Sequence, residues 1–196
     1  MTLRADARRN REQIIAAART VFAERGYDVP MDEIARAARV GVGTLYRRFP
    51  DRDALIRAVA TDSLTRILDE ARTAEAEESS AWPALVRLLT RSAELQFSPV
   101  AVQGADPAIA GLRDDLLERL GRLVLAAQQE GRLRADVGVG DVAQLSALIL
   151  RPLSARDPEI ARMSASRCTA ILIDGLQARP GAALPGRPLQ RQDLSH

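Results

Sequence analysis

Apolar residues along this 196-residue chain return every three or four positions almost throughout, and no run alternates as a strand does. The pattern predicts an all-α protein. A first helix is predicted over residues 11–25, capped by Asn10 with Gln13 as its capping-box partner and stopped by a left-handed Gly26. Its inward face is Ile14, Ala18, Val21 and Phe22. A second helix follows Pro30 over residues 31–38, and a third starts after Gly41 and ends before Pro50. Asp51 caps a fourth, whose stripe Ile56, Val59, Ser63, Ile67 and Ala71 persists to residue 77, a length of about 40 Å. Ser80 and Pro83 open a helix reaching Phe97. Asp106-Pro107 opens one ending near Gly131, Asp141 caps one through Leu150 before Pro152, and Asp157-Pro158 opens the last, to Ala178. From Arg179 onward Pro180, Gly181, Pro185, Gly186 and Pro188 predict a disordered tail. The domains expected are residues 1–50, a helical bundle over 51–178, and the tail 179–196.

Residues 30–50 carry the most specific pattern, two short helices joined by a tight turn, which is a helix-turn-helix. Ala35 is small where the helices must approach, and Ile34, Val40 and Leu45 are apolar where they must adhere. At about 100° per residue, Phe49 falls about 40° from Leu45, so both share the buried side. Gly43, Thr44, Arg47 and Arg48 fall opposite, with Tyr46 on the flank. That face offers two guanidinium groups, a hydroxyl, and a glycine that lets backbone approach a phosphate. It is a surface for reading a DNA groove.

Charge supports the front as the part that meets a polyanion. All 28 basic residues are Arg and the formal net charge is +2. Residues 1–60 hold 12 Arg against 8 acids, while residues 61–196 hold 16 against 18. Aromatics are 3% of the chain, so aliphatic residues must fill the core. The single cysteine, Cys168, excludes an internal disulfide framework and a cysteine zinc site, and is expected as a small buried apolar residue. The single histidine, His196, argues against histidine catalysis or metal ligation. The nearest acidic cluster, Asp114-Asp115-Glu118, fits a solvated helix face. No enzyme activity, metal or cofactor is expected. With no long apolar run and no leader-like apolar core, a cytoplasmic protein without a membrane span is expected.

The chain resembles the TetR family of bacterial transcriptional regulators over residues 13–59. The resemblance rests on Ala16-Ala17-Ala18, Phe22 and Gly26-Tyr27, then Ile34-Ala35 and Ala38. Gly43-Thr44-Leu45-Tyr46, Phe49-Pro50 and Asp53-Ala54-Leu55 complete it. Two positions depart from the family pattern. Arg39 stands at a turn position usually held by Gly, at a cost of about 1–2 kcal/mol for a left-handed conformation. Gly41 stands where Ser or Thr often caps the third helix. The resemblance implies a homodimer on double-stranded DNA, each third helix in the major groove of a palindromic operator whose half-sites lie about one turn of DNA apart or a multiple of it. Thr44, Tyr46 and Arg52 are the candidates for phosphate contacts; Val42, Gly43, Arg47 and Arg48 are those for base edges, with Arg39 near the DNA-facing edge. Arg8, Arg9 and Arg11, preceding the first helix, are candidates for the backbone or minor groove. An alternative for Arg48 is a pair with Asp51 or Asp53.

For the rear bundle the resemblance implies an apolar pocket for a small-molecule effector and a dimer interface on the last two helices. Pocket candidates are Trp82, Leu85, Leu89, Phe97, Leu120, Leu123 and Val124; Arg91 and Arg151 read first as side chains that snorkel to the surface, and second as partners of an anionic effector. Interface candidates are Val142, Leu145, Leu148 and Ile149, then Ile160, Met163, Ile171, Leu172 and Leu176. The function implied is a repressor released from its operator by ligand, with the fourth helix carrying the signal. The alternative on the same scaffold is control by a protein partner, or no effector at all.

Overall fold

The computed structural model describes residues 2–94, 106–149 and 158–194. Among these lie α1 (Thr2–Arg25), α2 (Met31–Ala37), α3 (Val42–Arg48), α4 (Arg52–Glu77), α5 (Ala81–Glu94), α6 (Pro107–Gln129), α7 (Val139–Ile149) and α8 (Pro158–Leu176). A 3₁₀ turn, Arg191–Leu194, follows, and the one β-bridge among the described residues joins Leu133 to Gln177. The all-α expectation holds.

Local signals set most helix ends. Gly26 (φ 81°) and Gly131 (φ 67°) take the left-handed conformation that stops α1 and follows α6. The Asp51 carboxylate accepts from the Ala54 N–H at 2.6 Å, and Asp106 accepts from Ala108 at 3.0 Å, so both cap as expected. Two starts differ. α1 begins at Thr2, because nothing before Asn10 breaks a helix and the pairs Asp6–Arg9 and Arg8–Glu12 join charges one turn apart. Asn10 therefore lies inside α1 and is not its cap. α7 begins at Val139, ahead of Asp141, whose carboxylate reaches back to the Gly138 N–H at 2.8 Å. It acts as the acidic half of a capping box rather than as the cap itself. Phe97, Leu150, Arg151, Pro152, Asp157 and His196 lie outside the described residues.

Two apolar clusters divide the chain. Ile14, Ile15, Ala18, Phe22, Val29, Met31, Ile34, Ala35, Ala38, Leu45, Phe49, Leu55 and Val59 form the front core. The rear core begins on the next residue of α4, Ala60, and gathers apolar side chains from α4 through α8. Packing thus changes over between Val59 and Ala60, nine residues after the expected division at residue 50. Helix α4 is shared by both cores. Its buried surface is wider than the predicted stripe, adding Leu55, Ala60, Leu64, Leu68 and Ala74 while Ile56 is half-buried, because α1, α5 and α6 pack around it.

The segment expected as a disordered tail is laid against the bundle over residues 179–194. Asp136, paired with Arg134, accepts from the Leu184 N–H at 2.8 Å, and Arg134 also donates to the Ala182 carbonyl. The Leu189 carbonyl accepts from Gly140, and its N–H donates to Asp141 at 3.0 Å. A Cβ on Gly138 would stand 2.0 Å from the Leu189 oxygen, so glycine there is what lets the segment dock. The composition of the tail is that of a disordered segment. Its docking rests on backbone groups and a few charges, which composition does not register.

Candidate nucleic-acid interface

Helix α2 ends in a turn that closes through its own backbone. The Val40 N–H reaches the Ala35 carbonyl at 3.0 Å and the Arg39 N–H reaches the Arg36 carbonyl at 3.0 Å. This pair of bonds requires a left-handed residue between the helix and Val40, and Arg39 supplies it with φ 53°. The strained position anticipated from sequence is therefore present. Gly41 then opens α3 in an extended conformation with no side-chain cap. Its carbonyl accepts from Thr44 at 2.8 Å and Leu45 at 3.1 Å.

The inner side of the motif is apolar throughout. Ile34 and Leu45 are fully buried, Ala35 and Ala38 nearly so, and Phe49 closes the end of α3. The outer side is open. Val42 and Tyr46 are 42% and 47% exposed, Arg47 and Arg48 are exposed, and a Cβ on Gly43 would meet nothing within 4 Å. The division of α3 into these two sides matches the helical-wheel expectation.

The charges on this side are uncommitted. Arg36, Arg39, Arg47 and Arg48 form no ion pair among the described residues, and Arg48 does not turn to Asp51 or Asp53. Arg47 donates to the Thr44 hydroxyl at 3.0 Å, which orients its guanidinium along the face. Sequence reasoning passed over Arg36. The signal was available, since it lies on α2 next to the buried Ile34-Ala35 pair and points away from them.

Other candidates sit differently. Arg8 and Arg9 belong to α1 rather than to an arm ahead of it, exposed and joined to Glu12 at 3.6 Å and Asp6 at 3.0 Å. Arg11 stacks over the Phe49 ring, 5.6 Å from its centroid, which brings α1 to the end of α3. Arg52 is turned inward. It donates to the carbonyls of Tyr27 at 2.5 Å and Val29 at 2.7 Å in the loop between α1 and α2. In the same loop, burial pushes the Tyr27 hydroxyl above its ordinary pKa.

In the rear bundle the structure brings Trp82, Leu85, Leu89, Leu120, Leu123 and Val124 together, all buried in one apolar cluster. The candidates on α7 and α8 divide. Val142 and Leu176 are buried within the chain's own core and offer nothing to a partner, because they face inward among α5, α7 and α8. Leu145, Leu148, Ile160, Met163 and Ile171 are 42–67% exposed, and Ile149 and Leu172 are half-buried. Cys168 is exposed on α8, not buried as expected, since it lies about 90° around the helix from the inward Thr169 and Leu176. Among the described residues no cluster of three or more His, Cys, Asp or Glu is arranged to hold a metal, and no helix is long and apolar enough to cross a membrane.

Comparison with known proteins agrees with this geometry. The family model "bacterial regulatory proteins, tetR family" matches residues 14–59, and that of the "transcriptional regulator SbtR-like, C-terminal domain" matches residues 96–178. Among solved structures, the chain is similar to a TetR transcription regulatory protein from Mycobacterium vanbaalenii, at 36% identity and a TM-score of 0.61. That likeness covers 89% of this chain and 99% of the other. It is similar to a TetR transcriptional regulator from Streptomyces coelicolor at 31% identity and a TM-score of 0.61, covering 87% and 99%. An HTH-type transcriptional regulator of Staphylococcus aureus (strain USA300) is 41% identical over 54 residues, 27% of this chain and 29% of that regulator's length.

Proposed function

Because the chain belongs to the TetR family of bacterial transcriptional regulators, we propose that it is a homodimeric repressor that holds a palindromic operator through α3 and is released by a small molecule bound in the rear bundle. That it is a helix-turn-helix DNA-binding regulator follows from the family; repression, palindrome, effector and a place in the cytoplasm are the proposal. The observation that carries it is the outer side of α2 and α3. Four arginines there have no carboxylate partner among the described residues, beside exposed Val42 and Tyr46 and an unobstructed Gly43. Arg47 and Arg48 fit bidentate contacts to guanine, Val42 fits a thymine methyl, and Thr44, Tyr46 and Arg39 fit phosphates. Arg8 and Arg9 fit flanking phosphates reached from the helical extension of α1 rather than a flexible arm.

The partner copy fits the exposed apolar residues of α7 and α8. Leu145 and Leu148 lie one turn apart, and Ile160, Met163 and Ile171 lie on the side of α8 opposite its buried Thr169 and Leu176. The effector fits the apolar cluster around Trp82, Leu89 and Leu123. Release is a matter of linkage. A ligand that binds better when the two α3 helices stand at the wrong separation lowers DNA affinity by the same factor. Shared between both cores, α4 is the element placed to carry that change.

Selection from a random double-stranded DNA pool with the purified protein tests the proposal. Enrichment of an inverted repeat, with binding that weakens steeply as salt rises, is the expected result. A pool that stays unenriched, or a single unrepeated site bound by a monomer, overturns it.

A further inference from the structure

We propose that Arg52 is a positioning residue that locks the reading motif onto α4, and so sets which half-site spacing the dimer accepts; this rests on the function proposed above. In the resemblance Arg52 stands as a phosphate contact at the DNA-facing start of α4. Its geometry is that of an internal tie. Nη1 carries two hydrogens, and the carbonyls of Tyr27 and Val29 take both. Those carbonyls lie in the loop just after α1 stops at Gly26 and just before α2 begins, where no helix partner serves them. The loop is itself fixed. The Tyr27 ring packs on Phe22 at 5.2 Å, and Val29 is buried in the front core.

A second tie lies ten residues along α4, about 15 Å away. Arg19 of α1 donates to Asp62 at 2.7 Å, and Arg66 donates to the same carboxylate oxygen at 2.8 Å. Between the two ties Leu55 and Val59 complete the front core. The first turns of α4 therefore move with α1, α2 and α3 as one body. In a dimer, the distance between the two α3 helices is then fixed by the direction of the two α4 helices. Without the Arg52 tie, each motif swings about the Pro50 joint and tolerates a shifted half-site.

The test uses the full chain and the operator recovered by selection, with its half-sites at the recovered spacing and one or two base pairs closer or farther. Affinity is measured over a salt series for the wild type, Arg52→Met, Arg19→Met and, as a comparator on the exposed face, Arg48→Met. For Arg52→Met the expected result is a salt slope equal to wild type, with discrimination against the shifted spacings reduced at least about tenfold. Arg19→Met should widen the accepted spacing in the same way, and it carries the test if Arg52→Met does not fold. A slope shallower by about one unit per lost phosphate contact, with spacing preference intact, makes Arg52 a phosphate anchor and overturns the inference. Unchanged slope and unchanged spacing preference leave Arg52 a structural tie only, and overturn it too. A wild-type protein that enriches no DNA defeats the underlying function before any variant is made.

Discussion

In the rear bundle most arginines end on carboxylates. Arg87 of α5 reaches Glu70 at 2.7 Å, Glu77 at 2.9 Å and Glu78 at 3.2 Å, and these bonds hold its charge firmly. Arg119 and Arg122 share Glu75, and Arg134 pairs with Asp136. On the reading motif, Arg36, Arg39, Arg47 and Arg48 end on none among the described residues, while in the same unit the half-buried Arg19 and the exposed Arg25 are paired with Asp62 and Glu33. The same residue type thus does two jobs. Paired, it ties helix to helix. Left without a carboxylate on one side of a small unit, it creates a positive surface with no ion pair to break before a phosphate or guanine is met.

The largest expected effect separates the two cores. Leu45→Ala removes a fully buried side chain of the front core and should cost about 2–5 kcal/mol there. Operator binding is lost while the rear bundle keeps its helicity and its dimer, as circular dichroism and sedimentation will report. Loss of the dimer as well would mean that the cores are one cooperative unit. Next come the two kinds of arginine. Arg48→Met should weaken operator binding by about 1–3 kcal/mol with the melting temperature unchanged. Arg87→Met should do the reverse, lowering the melting temperature and leaving the affinity of the folded protein as it was.

A smaller effect probes the strained turn. Arg39→Gly relieves the left-handed residue and should raise stability by about 1 kcal/mol, while removing one cation from the DNA-facing edge and making the salt slope shallower. A stabilised variant with an unaltered slope would show that Arg39 meets no phosphate. The smallest concerns acid. Glu130 accepts from the N–H groups of Ala81 and Trp82 at the start of α5, the Ala81 bond first in weight, and its pKa is lowered. A carboxyl whose pKa is depressed by folding stabilises the protein above the ordinary carboxylate range and ceases to do so as pH falls through its folded value. The melting-temperature gap between wild type and Glu130→Gln should be full at neutral pH and shrink as pH falls below about 4. A gap that persists in acid would exclude that origin.

Much of the front half could be read from the order of residues because its signals are local. Gly26, Pro50 and Asp51 act within one turn of themselves, and the 3.6-residue period separates Leu45 and Phe49 from Arg47 and Arg48 without any knowledge of neighbours. The extension of α1 to Thr2 was missed because Asn10 is a good cap only where a helix has reason to start. The rear candidates were less legible. Val142 and Leu145 are one turn apart and equally apolar, yet one is buried in the chain's own core and the other is open. No periodicity distinguishes a side chain facing its own bundle from one facing outward along the same stripe.

By itself the sequence determined the all-helical class, the helix-turn-helix and which side of α3 is polar, since each follows from short-range sterics and hydrogen bonding. Only the tertiary structure decided where the front core ends, because Leu55 and Val59 join it from a helix that continues unbroken into the rear. It also decided that Arg52 turns inward while Arg48 stays exposed, and that residues 179–194 dock on the rear bundle. Those outcomes depend on backbone carbonyls and glycine-sized gaps contributed by segments far away along the chain, from Val29 for Arg52 to Leu189 for Gly138, and a side chain's own neighbours in sequence carry no record of them.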